Sequence, residues 1–338
     1  MIKIGVIYGG MSTEREVSKV SAKSVLENLN KEKYEIYPVF IDENGEWYEE
    51  KNLNKIKIEN IIKYIKNLDI VFPVLHGLYG EDGTIQGLLE MIGVKYVGCK
   101  VLASSVGMDK AYTKMIFEKA KINQTKYLFV KKYKNNEYIY VNNNLDEKNM
   151  NIDELVDFTE KELKYPIFVK PSNSGSSVGV NKAENKEELK QNIEIAAKYD
   201  NKILIEQGVI GKEVECAVLG NSQVGVEVTN PGEILPAGEY YSFDSKYKDE
   251  NSKTLLFARI TDEQKNTIKE LAKKAFKAID GNGLSRVDFF VENQTGKIYI
   301  NEINTMPGFT SISMYPKLFE AYGYNYSKLL DKIIKIDL

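Results

Sequence analysis

Two β-rich runs near the C-terminal end of the chain, residues 285–291 and 297–303, are dominated by Val, Ile, Phe and Tyr. Between them, Gln294-Thr295-Gly296 suits a three-residue hairpin loop with glycine in the left-handed position. That loop predicts a register: Phe290 opposite Ile300, Asp288 opposite Glu302 and Arg286 opposite Asn304, with all six side chains on one face. Upstream, apolar runs at 2–8, 34–41, 70–75 and 95–97 predict strands. Helical spacing predicts helices over about 17–29, 56–66 and 84–91. Strand-helix alternation of this kind predicts an open parallel α/β domain. Further helices are expected from Asp109-Lys110 to Ala120 and, charged and amphipathic, over 152–163. Strands are expected at 166–170, 202–209 and 213–219, the last with Glu213 and Glu215 on one face.

The hairpin carries the first chemical signal. Carboxylates opposed across a ladder repel, and Asp288 facing Glu302 is tolerable when one is protonated or a cation lies between them. Arg286 alone could serve. Asn304 adds a neutral oxygen donor, which favours a hard cation, Mg²⁺ rather than zinc. A second signal is the strand that ends at Lys170 and opens into Pro171-Ser172-Asn173-Ser174-Gly175-Ser176-Ser177-Val178-Gly179, a small-residue loop whose N–H groups can cradle an anion. It is not a P-loop, because the lysine precedes the glycines. Phosphate donors and Mg²⁺ together are what nucleotide chemistry requires.

Other segments narrow the reading. The turn Gly9-Gly10-Met11-Ser12-Thr13-Glu14-Arg15-Glu16 predicts a capping box from Thr13 to Glu16 and places Glu14 in the first helical turn, at the carboxyl edge of the sheet, where ligands of open α/β sheets bind. Asp42 after the second strand invites a nicotinamide reading, but G-x-G-x-x-G is absent. Lys110 in a first helical turn opposes the helix dipole unless an anion lies nearby. Residues 240–250, charged and aromatic without periodicity, are expected to form a lid.

Composition excludes several classes. The 338 residues are 43% hydrophobic and 28% charged with a net charge of −3, which suits a globular chain with two or three cores and disfavours a nucleic-acid partner. Two cysteines without C-x-x-C indicate neither a disulfide framework nor a zinc ribbon. No apolar run reaches membrane-spanning length, and no export signal is expected, so a reduced, cytoplasmic setting is. The single histidine, His76, leaves little scope for a Ser-His-Asp or Cys-His site. At a strand end before a glycine-rich loop, it either orders that loop or holds a ligand.

These motifs assemble into a resemblance. From Gly9-Gly10 with Glu14 to Ser18, through His76-Gly77 to Gly87, Met108-Asp109-Lys110, Lys170 to Gly179 and Ser245-Lys246-Tyr247, to Asn301 to Gly308 with Ser311 to Pro316, the chain resembles D-alanine:D-alanine ligases of the ATP-grasp superfamily. The resemblance implies an N-terminal α/β substrate domain (1–98) and a two-part ATP-grasp module (99–205 and 206–338). It implies ATP-dependent ligation of two D-alanines for peptidoglycan synthesis, with D-alanyl-D-serine or D-alanyl-D-lactate as alternative products. Tyr247 favours D-alanine over D-lactate.

By that resemblance, Lys110 and Lys170 contact the phosphates, Ser174, Ser176 and Ser177 lie in the loop over them, and Glu206, Val209 and Glu213 hold adenine and ribose. Gln207 departs from the lysine of some members. Asp288, Glu302 and Asn304 match the ligands of two Mg²⁺ or Mn²⁺ ions. Glu14 binds the first ammonium with His76 nearby, Ser313 and Lys246 hold the second carboxylate, and Arg286 with the Gly308 N–H stabilises an oxyanion. Tyr247, bonded to Ser176 and Glu14, latches the lid. A homodimer is the family expectation.

Overall fold

The computed structural model describes residues 1–51, 54–134, 137–235 and 253–338. Three six-stranded sheets carry the architecture. In the first, Tyr34–Ile41, Ile2–Gly9, Ile70–Pro73 and Lys95–Tyr96 are parallel neighbours, as the alternation predicts, and both faces are covered. One face packs Val6, Phe72 and Val74 against Phe309 and the C-terminal helices Met314–Tyr322 and Tyr326–Asp337. The other packs Ile7, Val39 and Val71 against Ile65 and Leu89. Parallel strands buried on two faces need this kind of continuous apolar run.

The expected helix over 56–66 is mostly something else. Asn54–Lys57 is an edge strand paired antiparallel with Trp47–Lys51, and the helix is confined to Ile61–Ile65, where the Asn60 side chain accepts from Lys63 N. The cap decides the start, and the short alternating stretch before it pairs with the edge instead. The first long helix, Arg15–Asn28, also lacks the expected Thr13–Glu16 box. Glu14 is its N-cap residue, and Ser12 Oγ accepts from Glu14 N at 3.0 Å.

The second sheet turns one face to helices Ile152–Glu162 and Lys186–Ala196, burying Ile167, Val169, Ile203 and Ile205. Strand alternation leaves Phe168, Lys170 and Glu206 on the opposite face. The third sheet does the same with helix Asp262–Ala278: Val214, Cys216, Val287 and Phe289 are core, while Glu213, Glu215, Arg286 and Phe290 face the other way. Ala103 and Phe117, from Val101–Met108 and Lys110–Lys119, join that core. The two polar faces meet across a cleft.

In the hairpin of strands Gly283–Glu292 and Ile298–Asn304, Arg286 pairs with Asn304 and Asp288 with Glu302, as predicted. Phe290 pairs with Tyr299 rather than Ile300, which lies fully buried in the core with Phe289. Two departures compensate. Glu292 N donates to Lys297 O, so the loop has one residue more than expected, and a bulge between the Asp288 and Phe289 pairs leaves Asn301 as the extra residue. Asn301 and Glu302 consequently both line the cleft, which a regular strand cannot offer at adjacent positions.

Phe289 is fully buried in this core. Phe289→Ala should lower stability by about 3–5 kcal/mol in urea unfolding, with the cavity term included.

Candidate active site

A cavity of about 1350 Å³ lies where the second and third sheets face each other, open to the carboxyl edge of the first. Glu14, His76, Lys110, Lys170, Ser174, Ser176, Ser177, Glu206, Val209, Glu213, Arg286, Glu302, Asn304, Gly308 and Ser313 all line it. Asp288 does not. It is 2% exposed and bound by Arg286, whose Nε and Nη2 donate to its two oxygens at 2.7 Å each. Lys246 and Tyr247, with the whole expected lid over 240–250, fall outside the described residues.

Beside the small-residue loop, Lys110 begins its helix one residue after Asp109, whose side chain accepts from Ala111 N and Tyr112 N. The anion that a first-turn lysine calls for is Glu302, 3.6 Å from Lys110 Nζ, and the same ammonium donates to Ser174 O at 2.7 Å. Lys110 thus ties the metal-type hairpin to the small-residue loop. In that loop Ser176 and Ser177 both have positive φ, +48° and +60°, a strained setting for residues with a Cβ. Ser176 Oγ donates to Glu14 Oε2 at 2.5 Å. A Cβ on Gly175 would lie 2.1 Å from Glu14 Oε1, so glycine is what lets the loop reach this carboxylate.

Glu206 is 4% exposed, with Lys114 Nζ 2.5 Å from one oxygen and Lys170 Nζ 2.6 Å from the other. Burial works against its charge, but the two lysines outweigh it and hold the carboxyl well below the usual range. Lys170 Nζ also donates to Asn301 Oδ1 at 3.4 Å. Arg286 is held above its ordinary value despite burial, because Asp288 and Glu215 flank it, the latter 3.2 Å from Nε.

His76 is 3% exposed and fastens two ends of the chain together. Its Nδ1 lies 3.2 Å from Met306 O and its Nε2 2.8 Å from Ser21 Oγ. Ser21 Oγ in turn accepts from Phe309 N at 3.2 Å. Nδ1–H therefore donates to Met306 O and the serine hydroxyl donates to Nε2, an assignment that satisfies every atom. Burial pushes the imidazole down to about 4 against the opposing pull of Met306 O, so it is neutral. Glu81, accepting from Gly77 N at 2.7 Å, is pushed up to about 8 by burial and by the nearby Glu14.

The proposed metal set, Asp288, Glu302 and Asn304, supplies two carboxylates and an amide, which suits a hard cation. Among the described residues no group of three or more His, Cys, Asp or Glu could hold a metal. Asn304 Nδ2 donates to Asp288 Oδ2 at 3.1 Å, which fixes the amide and leaves its Oδ1, the atom a cation would use, turned away from that oxygen. Arg286 already supplies the positive charge that Asp288 requires, so Glu302 and Asn304 are the two members of the set that face the cavity.

Several groups escaped the sequence reading: Asn301, Thr125, Lys114, Glu81 and Phe168. Phe168 was within reach, since alternation from Lys170 puts both on one face. Lys114 was not, because its partner Glu206 lies 92 residues away on another element.

Residues 3–99 match the family described as the D-ala D-ala ligase N-terminus and residues 116–335 its C-terminus. The chain belongs to the D-alanine–D-alanine ligase family. It is 46% identical to the D-alanine–D-alanine ligase of Clostridium acetobutylicum, over 99% of this chain and 97% of that one. The Acetivibrio thermocellus D-alanine–D-alanine ligase is 45% identical over 99% and 95%. Among solved structures, the VanG D-Ala:D-Ser ligase from Enterococcus faecalis superposes with TM-score 0.85 at 35% identity, covering 100% of this chain and 99% of that one. The D-alanine–D-alanine ligase from Coxiella burnetii gives 0.82 at 30%, covering 99% and 93%. The ATP-grasp expectation and the mixed α/β architecture agree with these structures. No helix among the described residues is long and apolar enough to cross a membrane.

The depressed His76 contributes stability that is present above pH 6.5 and is lost as pH falls towards 4. Glu81, raised from 4.5 to about 8, acts in the opposite direction over its own window. The readout is therefore a difference: between pH 6.5 and 4, wild type should lose roughly 3 kcal/mol more than His76→Asn in urea unfolding. Equal slopes would show that the imidazole is not buried neutral.

Proposed function

We infer that this chain joins two D-alanines at the expense of ATP, through an acyl phosphate, to supply D-alanyl-D-alanine for peptidoglycan. The observation that carries the reading is a single ammonium: Lys110 spans the Ser174 carbonyl and Glu302, so the phosphate loop and the acidic hairpin serve one reacting centre.

A carboxylate is a poor electrophile, and activation must come first. The first D-alanine is positioned with its ammonium at Glu14, beside Glu81 and neutral His76, a corner whose charge balance suits a cation. Its carboxylate oxygen attacks the γ-phosphorus and ADP leaves, while Lys110 and Lys170 offset charge on the transferring group. Asp288, Glu302 and Asn304 would hold the two Mg²⁺ or Mn²⁺ ions, which neutralise phosphate charge when bound. Glu206, Val209 and Glu213 take the adenine and ribose between Phe168 and Phe290. The second D-alanine, its carboxylate held by Ser313 and Lys246, attacks the acyl carbon through its free amine. Arg286 and the Gly308 N–H receive the oxyanion that develops, and phosphate leaves. Tyr247, through Ser176 and Glu14, would keep the lid closed, because water would hydrolyse the acyl phosphate.

We assign the three units as 1–98, 99–205 and 206–338, and propose a homodimer acting in the cytoplasm. A second reading, D-alanyl-D-serine synthesis, is favoured by the close superposition on the VanG D-Ala:D-Ser ligase. One assay separates them: ATP, Mg²⁺ and D-alanine are supplied alone or with D-serine or D-lactate, and ADP release and product mass are measured. The expected product is D-alanyl-D-alanine. A mixed product dominating at equal concentrations favours the second reading, and ADP release independent of D-alanine contradicts both. Glu302→Ala should reduce ligation by about 10²–10³-fold, as loss of one electrostatic group at a reacting centre does. Near-normal turnover would remove it from the metal set.

A further inference from the structure

A hydroxyl and two ammonium groups meet the buried Glu206 carboxylate, and they are not equivalent. Thr125 Oγ1 donates to Oε1 at 2.9 Å, the oxygen that Lys114 Nζ approaches to 2.5 Å, while Lys170 takes Oε2. Lys170 lines the cavity. Lys114, 2% exposed, lies behind its wall and does not. Two ammonium groups on one carboxylate in a dry setting leave an excess of positive charge unless another anion arrives.

The surroundings specify which lysine is available to move. Lys170 is drawn by Glu206, Glu302 and Glu213, and a triphosphate in the cavity adds further anions within its side. For Lys114, burial lowers the ammonium, Glu206 offsets part of that, Lys170 repels it, Glu302 adds a weaker attraction and the Tyr127 ring lies 5.3 Å away. Its only close carboxylate among the described residues is Glu206. A buried carboxylate that lost both cations would take up a proton, and a carboxyl group donates where a carboxylate can only accept.

We propose that Lys114 is the permanent counter-ion that keeps Glu206 an ionised, fixed acceptor for the exocyclic amino group of adenine. From behind the cavity wall, this lysine thereby sets the choice of nucleobase. It is a positioning residue and touches no substrate. The inference rests on the assignment of Glu206 to the base made above. Charge also explains why a neutral partner would not serve: an amide at the same place could turn either end to the base, whereas a carboxylate selects a donor.

The test compares ATP with the triphosphate of purine riboside, which lacks only the 6-amino group. Wild type should show a KM for the analogue roughly ten- to a hundredfold above that for ATP, the range of one hydrogen bond to a charged group. In Lys114→Met the ratio should fall to within about threefold of one, the loss lying in KM for ATP and not in KM for D-alanine, as a fixed-acceptor role requires. Lys114→Arg, which keeps the charge, should retain most of the preference. If wild type does not distinguish the two triphosphates, the base assignment of Glu206 fails. If wild type distinguishes them and Lys114→Met does so equally, or if D-alanine KM rises in step, the role of Lys114 is overturned. Wild type alone gives an independent readout that survives a misfolded variant. With Glu206 held ionised, the ratio does not fall from neutral pH down to about 5.5, and a preference that collapses towards acid overturns the proposal.

Discussion

Carboxylates crowd this cleft, and their mutual repulsion is the constraint around which the rest is arranged. Glu14, Glu206, Glu213, Glu215 and Glu302 line one cavity, with Asp288 directly behind. Each for which a partner is described has a donor set against it: Ser176 for Glu14, two lysines for Glu206, Arg286 for Asp288 and Glu215, Lys110 for Glu302. Exposed pairs of this kind contribute little, but in a largely buried cleft the loss of one partner leaves a charge uncompensated, and the cost rises to several kcal/mol. The site is therefore organised before any substrate arrives, with cations already set between its acids.

That organisation is assembled from segments far apart in the chain. The Glu14–Ser176 bond joins residues 162 positions apart, and Ser21 to Phe309 spans 288. His76 sits at the junction, with one nitrogen on the N-terminal helix and the other on the Met306 carbonyl. Its neutrality matters there, because a charged imidazole could not accept from Ser21 and the loop that carries Gly308 would lose one of its anchors.

What could be read in advance followed periodicity. The parallel first sheet, the lysine-ended strand and the Asp288–Glu302 pairing are all consequences of alternation or helical spacing, and they appear at the expected positions. Edge and cap effects were less legible. Residues 54–57 form a strand because a partner edge is available, and only Asn60 marks where the helix starts. Long-range charge pairs were not legible at all. Lys114 reads as one more lysine on a helix until Glu206, from another strand, is brought against it. Phe290 meets Tyr299 because the connection holds one residue more than its turn residues predict, and Asp288 still meets Glu302 only through the bulge.

The bulge at Asn301 has an evolutionary corollary. Face selection on a ribbon is a matter of parity, so the four connecting residues 293–296 and the one unpaired residue form a matched count. A lineage can exchange some letters of that connection, but not Gly296, whose φ of +69° favours glycine. A single insertion or deletion there, without a compensating change beside Glu302, would turn the acid towards the hydrophobic interior. Turn length far from the chemistry is thus under the same selection as the chemistry itself.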